Sequence, residues 1–273
     1  MIYTKDADQL FACLKDENIR IVDCQFDLAN PEWGYQQYTR GHIPGAVYMD
    51  LNTDLSGKID VHGGRHPLPN VDEFVQKLAE AGIGQDTTVV AYDSQHGAMA
   101  SRFWWLLTYV GHKKVYVLNG GLPMWLQQGY PVTEELPSIT PNTFIPSVQQ
   151  HMQVNMQDVK ERIEQNTKFV LIDSREKKRY EGIEEPIDKK AGHIPTAIHS
   201  FWKDALTEEG IFKEQDEQFA SLQKDAEIIV YCGSGVTACP NVLALRQAGF
   251  ENVKLYSGSW SDWISYDENP VEK

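Results

Sequence analysis

The sequence predicts an α/β protein built twice over, each copy a mostly parallel sheet flanked by helices. Short, uninterrupted β-branched runs alternate with stretches of helical period, as in a parallel sheet covered on both faces. The same series of runs then returns, in the same order, in the second half of the chain. Two copies at so long a period denote a duplicated domain and not a solenoid.

The first copy opens on a helical pattern over Asp6 to Lys15, followed by the strand Arg20-Ile21-Val22-Asp23. A polar stretch leads to Gly41-His42-Ile43-Pro44-Gly45-Ala46, and then to the strand Thr88-Val89-Val90-Ala91-Tyr92-Asp93. A helix ending at Gly111, the run Val115-Tyr116-Val117-Leu118-Asn119-Gly120, Trp125 and the exit Pro131-Val132 complete it. The second copy answers with Phe169-Val170-Leu171-Ile172-Asp173, Gly192-His193-Ile194-Pro195-Thr196-Ala197 and Ile228-Ile229-Val230-Tyr231-Cys232. Gly249, Val253 to Gly258, Trp263 and Pro270-Val271 follow in turn. Between the copies, Pro137, Pro141 and Pro146 stand among few periodic apolar residues, the composition of a linker. The expected division is a first domain over 1–133, a linker over 134–153 and a second domain over 154–273.

The second copy carries the candidate chemistry. Its strand Ile228 to Tyr231 runs into Cys232-Gly233-Ser234-Gly235-Val236-Thr237-Ala238. Gly233 and Gly235 allow a tight turn that aims backbone N–H groups inward, and a helical pattern follows from about Val236 to Ala248. A thiol at such a turn faces several amides and the positive end of a helix, both of which favour thiolate. A cysteine beside a strand is more often a small buried hydrophobe, but a core cysteine has no use for an amide nest. The first copy has Asp93 at this position and a loop one residue longer, so it is expected to act as scaffold and to lend residues to a cleft between the domains.

Other candidates surround this loop. Ser234 and Thr237 place hydroxyls that bond a sulfur anion or relay a proton, while Thr237 equally suits a helix cap. Arg175 and Arg179 lie past the strand ending at Asp173, at the carboxyl end of the sheet, and Arg179 suits a forked contact to a carboxylate or sulfonate. Glu176-Lys177-Lys178-Arg179 also reads as a solvated charge run. In the first copy, Gly63-Gly64-Arg65-His66-Pro67 brings a cation and a proton-transfer group on a loop that permits close approach, or forms a proline-stiffened turn. His42 and His193 recur in both copies and are read as structural turn histidines; Trp104, Trp105, Trp260 and Trp263 are read as core.

A net charge of −14 and a pI near 5.0 argue against nucleic acid or an anionic membrane as the main partner. Cysteines 13, 24, 232 and 239 form neither a disulfide framework nor a metal-binding pattern, and fit free thiols in the cytoplasm. The N-terminal residues lack the character of a signal peptide. A phosphatase-type Cys-x5-Arg loop is excluded, because Ala238 stands where the arginine would be.

The duplicated domain, the two Gly-His-Ile-Pro phrases, Asp93 in the cysteine position and the loop Cys232 to Ala238 together resemble the tandem-domain rhodanese family of sulfurtransferases. The likeness extends over essentially the whole chain. It implies two rhodanese-like domains, with Cys232 carrying a persulfide from a small-molecule sulfur donor to a thiol, a thioredoxin-like protein or cyanide, without metal or organic cofactor. The neutral loop is similar to that of the members using 3-mercaptopyruvate, whereas thiosulfate-using members carry basic residues there. The resemblance implies a proton relay through Ser234 and His66, and a donor carboxylate held by Arg179, with Gly233, Gly235, Val236 and Thr237 forming the anion cradle. Two positions depart from the pattern. Asp188 stands where a second arginine is expected, nine residues after Arg179, leaving Arg65, Lys189 or Lys190 as replacements. The acidic partner of the relay histidine has Asn52 nearest to its place, with Asp54 as the other candidate.

Overall fold

A computed structural model describes residues 2–213 and 217–273. In the first half, β1 (Thr4–Lys5), β2 (Ile19–Asp23), β3 (Ala46–Tyr48), β4 (Thr88–Tyr92) and β5 (Val115–Leu118) form one sheet in the order β1-β5-β4-β2-β3, all neighbours parallel. In the second half, β6 (Gln153–Val154), β7 (Val170–Asp173), β8 (Ile198–His199), β9 (Ile228–Tyr231) and β10 (Val253–Tyr256) repeat it as β6-β10-β9-β7-β8. Gln153, on the linker side of the expected boundary, is thus the first residue of β6. β4 and β9 are central, buried strands, and their carboxyl ends deliver Asp93 and Cys232.

The sheets pack on different material at their two faces. On the outer face of the first sheet, α1 (Ala7–Ala12) and α5 (Gly121–Gln127) bury Leu10 and Trp125 with Tyr38 of α2 (Trp33–Arg40). On the outer face of the second, α6 (Met156–Glu164) and α9 (Ser259–Trp263) bury Val159, Trp260 and Trp263. The inner faces share one apolar cluster. It contains α4 (Ala98–Tyr109) from the first half and α8 (Cys239–Gln247) from the second, packed on each other. That is why α4 is apolar nearly all round: Phe103, Trp104 and Trp105 are all fully buried. Truncating either tryptophan to alanine would cost about 3 to 5 kcal/mol.

The duplicated phrases have a common structural purpose. His42 bonds the carbonyl of Tyr38 through Nδ1 (2.7 Å) and His193 that of Tyr180 (2.8 Å), each ring stacked on the same tyrosine. The backbones of the two histidines pair with Thr133 and Glu272 at the chain exits. Trp125 and Trp263 donate to the carbonyls of Pro131 (2.8 Å) and Pro270 (2.9 Å).

Two elements are shorter than the periodicity suggests. α1 spans Ala7–Ala12 instead of Asp6 to Lys15, because Asp6 serves as its N-cap in a box closed by Gln9. α8 begins at Cys239 and not near Val236, with Pro240 in its first turn and Ala238 as N-cap, so the cap role open to Thr237 falls to neither hydroxyl of the loop. Residues 233–238 stay non-helical. Gly235 has φ +78°, and a Cβ there would sit 2.1 Å from the Ser257 carbonyl oxygen, so glycine is required.

Candidate active site

The site is built from the loop after β9, the loop carrying Gly63 to Pro67, and the segment after α7 (Lys177–Tyr180). Ser261 holds the first two together: its Oγ accepts the Arg65 N–H (3.1 Å), while its own N–H donates to the Gly233 carbonyl (2.9 Å). Asp262 accepts the Gly63 N–H at 2.7 Å. The first half therefore lends its glycine-rich loop to the cysteine of the second. At the centre, Ser234 Oγ and His66 Nδ1 share a hydrogen bond of 2.8 Å between buried side chains.

Cys232 sits at the base of this arrangement. Its N–H donates to Ser259 Oγ (3.1 Å) and its carbonyl accepts from Trp260 N–H (3.0 Å), which fixes the start of the loop. The backbone N–H groups of Gly233 through Ala238 have no acceptor among the described residues. A run of unpaired amides beside a buried thiol is a site for an anion. Cys232 is only 1 % exposed and belongs to the shared apolar cluster, and side chains of both halves come close to its loop: a Cβ on Gly233 would lie 2.9 Å from Arg65 Nη2 and 3.5 Å from Arg179 Nη2. Val236 is buried and joins the shared apolar cluster; Thr237 is half-buried.

Electrostatics set the protonation of the neighbours. Burial, then the nearby Arg102 and Arg65 cations, push His66 down to about 3, so its ring is neutral at physiological pH. Burial also lowers Arg65, against which the Cys232 sulfur acts in the opposite sense. Cys239, whose Sγ donates to the Gly235 carbonyl (3.3 Å), is pushed up to about 12 by burial and stays a thiol. Burial raises Cys24 as well.

Arg102 of α4 is the residue that sequence reasoning missed. Fully buried, it donates to the carbonyls of Gly235 (3.2 Å), Leu55 (3.3 Å) and His66 (3.2 Å), and its Nε has no partner. It thus ties the cysteine loop to the histidine loop. Among the described residues no carboxylate pairs with it; the ionisable side chains that act on it are those of Cys239 and Cys232. A buried guanidinium held by carbonyls and a thiol, with no carboxylate, is expensive unless an anion is stabilised beside it. An arginine within an apolar helix was the available signal.

Of the other sequence candidates, Arg175 is structural: it pairs with Asp173 (2.6 Å), donates to the Gly192 carbonyl (2.6 Å) and stacks on Trp260 at 4.6 Å. Arg179 bonds Glu185 (2.8 Å) and Asp188 (2.9 Å), and Arg65 bonds the other oxygen of Asp188. Of the three replacements weighed for the missing second arginine, Arg65, reaching over from the first half, is the one brought beside Arg179. Lys190 points instead to Asp267 at the surface (3.5 Å), and Lys189 is exposed. Asp54 is engaged by Lys77 (2.7 Å) and the Asp50 N–H (2.8 Å), and Asn52 is exposed, so neither is the acidic partner sought for His66.

A duplicated parallel α/β domain with a cysteine in an amide loop at the carboxyl end of its central strand defines a two-domain thiol-dependent protein of the rhodanese type. Residues 6–128 and 155–266 each match the rhodanese-like domain family, and the chain belongs to it. It is 39% identical over 97% of its length to a probable 3-mercaptopyruvate sulfurtransferase of Pseudomonas aeruginosa, of which the match covers 96%. It is 32% identical to thiosulfate/3-mercaptopyruvate sulfurtransferase 2 of Arabidopsis thaliana, over 97% of this chain and 84% of that one. Among solved structures, SseA of Escherichia coli, described as a 3-mercaptopyruvate sulfotransferase, superposes with a TM-score of 0.83 at 32% identity, over 96% of this chain and 100% of that one.

Proposed function

We propose that this chain is a sulfurtransferase that takes sulfane sulfur from 3-mercaptopyruvate onto Cys232 and passes it to a thiol or to cyanide. The observation that carries the reading is the run of amides from Gly233 to Ala238, unpaired among the described residues, in the loop that Cys232 opens: these are the donors a persulfide anion needs. The thiolate attacks the donor sulfur; the S–S bond forms as the C–S bond breaks, and its electron pair leaves on carbon as the enolate of pyruvate. The enolate takes a proton, passed along the Ser234 and His66 pair. A His66 that is neutral in the resting site acts as a relay and not as a proton store. The acceptor then attacks the outer sulfur and releases the Cys232 thiolate.

In this scheme Arg179 and Arg65 hold the donor carboxylate, and Arg102 places its charge beside the sulfur anion. The acceptor is a small thiol or a thioredoxin-like protein, and a reducing cytoplasm suits a persulfide carrier. No helix among the described residues is long and apolar enough to cross a membrane. Thiosulfate as donor is the second reading, supported by the pair of guanidiniums beside Gly233 and by the double name of the Arabidopsis relative. Steady-state rates with each donor, using cyanide and a small thiol as acceptors, decide between them. Mass spectrometry tests the common step: donor treatment should add one sulfur to the protein and none to Cys232→Ser. A sulfur gained equally by that variant would overturn the reading.

A further inference from the structure

Asp188 stands where an arginine would have strengthened the anion site, and its carboxylate bridges the two guanidiniums that remain. One oxygen bonds Arg65 from the first half and the other bonds Arg179 (2.9 Å), with the Asp188 side chain only 4% exposed. The same guanidiniums flank Gly233, next to the nucleophile. The surrounding ion cluster is balanced: Arg65, Arg175 and Arg179 face Asp173, Glu185 and Asp188. Arg65 Nε, though buried, has no acceptor, so this cation is not fully satisfied by Asp188. Asp188 lies on a segment that is not anchored by its apolar residues, since Ile183 is 66% and Ile187 46% exposed.

We propose that Asp188 sets the charge selectivity of the donor site: its carboxylate occupies the seat formed by Arg65 and Arg179, and a donor binds by exchanging its own anionic group for that of Asp188. The inference rests on the reading of that arginine pair as the donor seat. A monoanionic carboxylate replaces one negative charge with one, and the cluster stays balanced. A dianion such as thiosulfate brings a second charge that has no cation to meet it. Asp188 therefore competes with every anion and penalises dianions most.

The test reads anion binding on the thiol without any sulfur transfer. The sulfur-free protein is alkylated with iodoacetamide, a neutral reagent, and modification of the Cys232 peptide is followed by mass spectrometry, separately from that of the partly exposed Cys13. Pyruvate and sulfate, an inert monoanion and dianion, are titrated as protectants. In Asp188→Asn the half-protecting concentration of sulfate should fall by about tenfold and that of pyruvate by about threefold, the scale of one charged contact. Asp188→Ser should shift both in the same direction, and Asp188→Glu, which keeps the charge, should stay within about twofold of the parent. Half-protecting concentrations unchanged in both neutral variants, an equal shift for the two anions, or no protection by either would overturn the assignment. If the parent turns over neither donor while the anion shifts appear, the donor reading fails and the role of Asp188 stands. Turnover of mercaptopyruvate with no shift leaves the donor reading intact and removes Asp188.

Discussion

The loops that follow β4 and β9 occupy equivalent places in two copies of one sheet, and they differ in what their amides hold. In the first half the Asp93 carboxylate accepts from the N–H groups of Gln95 (2.7 Å), Gly97 (2.8 Å), Met99 (2.8 Å) and Ala100 (2.9 Å). A carboxylate has been built into the nest, and the loop is a finished structural feature. In the second half the residue at that position is Cys232, and the amides of its loop have no acceptor among the described residues. One backbone thus serves two ends: a carboxylate fills the first nest, whereas the second keeps donors free for the sulfur anion proposed above. A parallel contrast lies one strand away, where Asp23 bonds Gln25 in the first half and Asp173 bonds Arg175 in the second, so that only the cysteine-bearing copy carries a buried cation there.

Four experiments test the contrast between the two loops. The largest effect belongs to Cys232→Ser, which should abolish transfer, a loss of about 1,000-fold or more in turnover; substantial activity in that protein ends the persulfide scheme. Next, Asp93→Ala removes the acceptor of four amides and should destabilise the fold by about 3 to 5 kcal/mol in denaturant melts. A loss below about 1 kcal/mol would show that the first nest needs no resident anion. Ser234→Ala and His66→Asn should each slow turnover on mercaptopyruvate by about 100-fold, with a smaller effect on thiosulfate, whose leaving sulfite needs no carbon protonation. Equal losses on both donors would assign the pair to packing.

The smallest effect is on stability against pH. His66 is held near 3 in the fold and has an ordinary value of 6.5, so the unfolded chain binds the extra proton as pH falls. Stability contributed by the neutral ring is whole above pH 6.5 and declines below it, at a slope of at most about 1.4 kcal/mol per pH unit. Asp23 works in the opposite sense: burial raises it to about 6, so the fold takes up its proton first and gains stability between pH 6 and 4. His66→Asn should therefore flatten the decline between pH 6.5 and 4, measured as the denaturation midpoint. An unchanged slope would mean that the ring titrates normally and is not enclosed by Arg65 and Arg102.

Much of the fold was legible because duplication shows every element twice. β-branched runs marked β2, β4, β7, β9 and β10 within a residue or so, and the recurrence of His42 and His193 pointed to the turn bonds they make. Two-residue strands such as β1 and β6 were not legible, since their pairing with β5 and β10 comes from the sheet edge and not from local pattern. Cys232, Ser234, His66, Arg65 and Arg179 are indeed brought to one place. Arg102 escaped notice because its importance lies in contacts to four distant carbonyls, which no spacing encodes.

Local chemistry written in the chain determined the repeated parallel α/β plan, the cysteine in a glycine-bearing loop and the aspartate that replaces it in the other copy, because strand periodicity, turn glycines and residue identity act over a few neighbours. Tertiary packing alone decided which charges meet. Only when the two halves share a core do Arg65 and His66 reach the second loop, Arg102 find the Gly235 carbonyl and Asp188 fall between two guanidiniums. Those pairings join residues far apart in sequence, and Coulomb and hydrogen-bond energies depend on distance in space, which the order of residues does not contain.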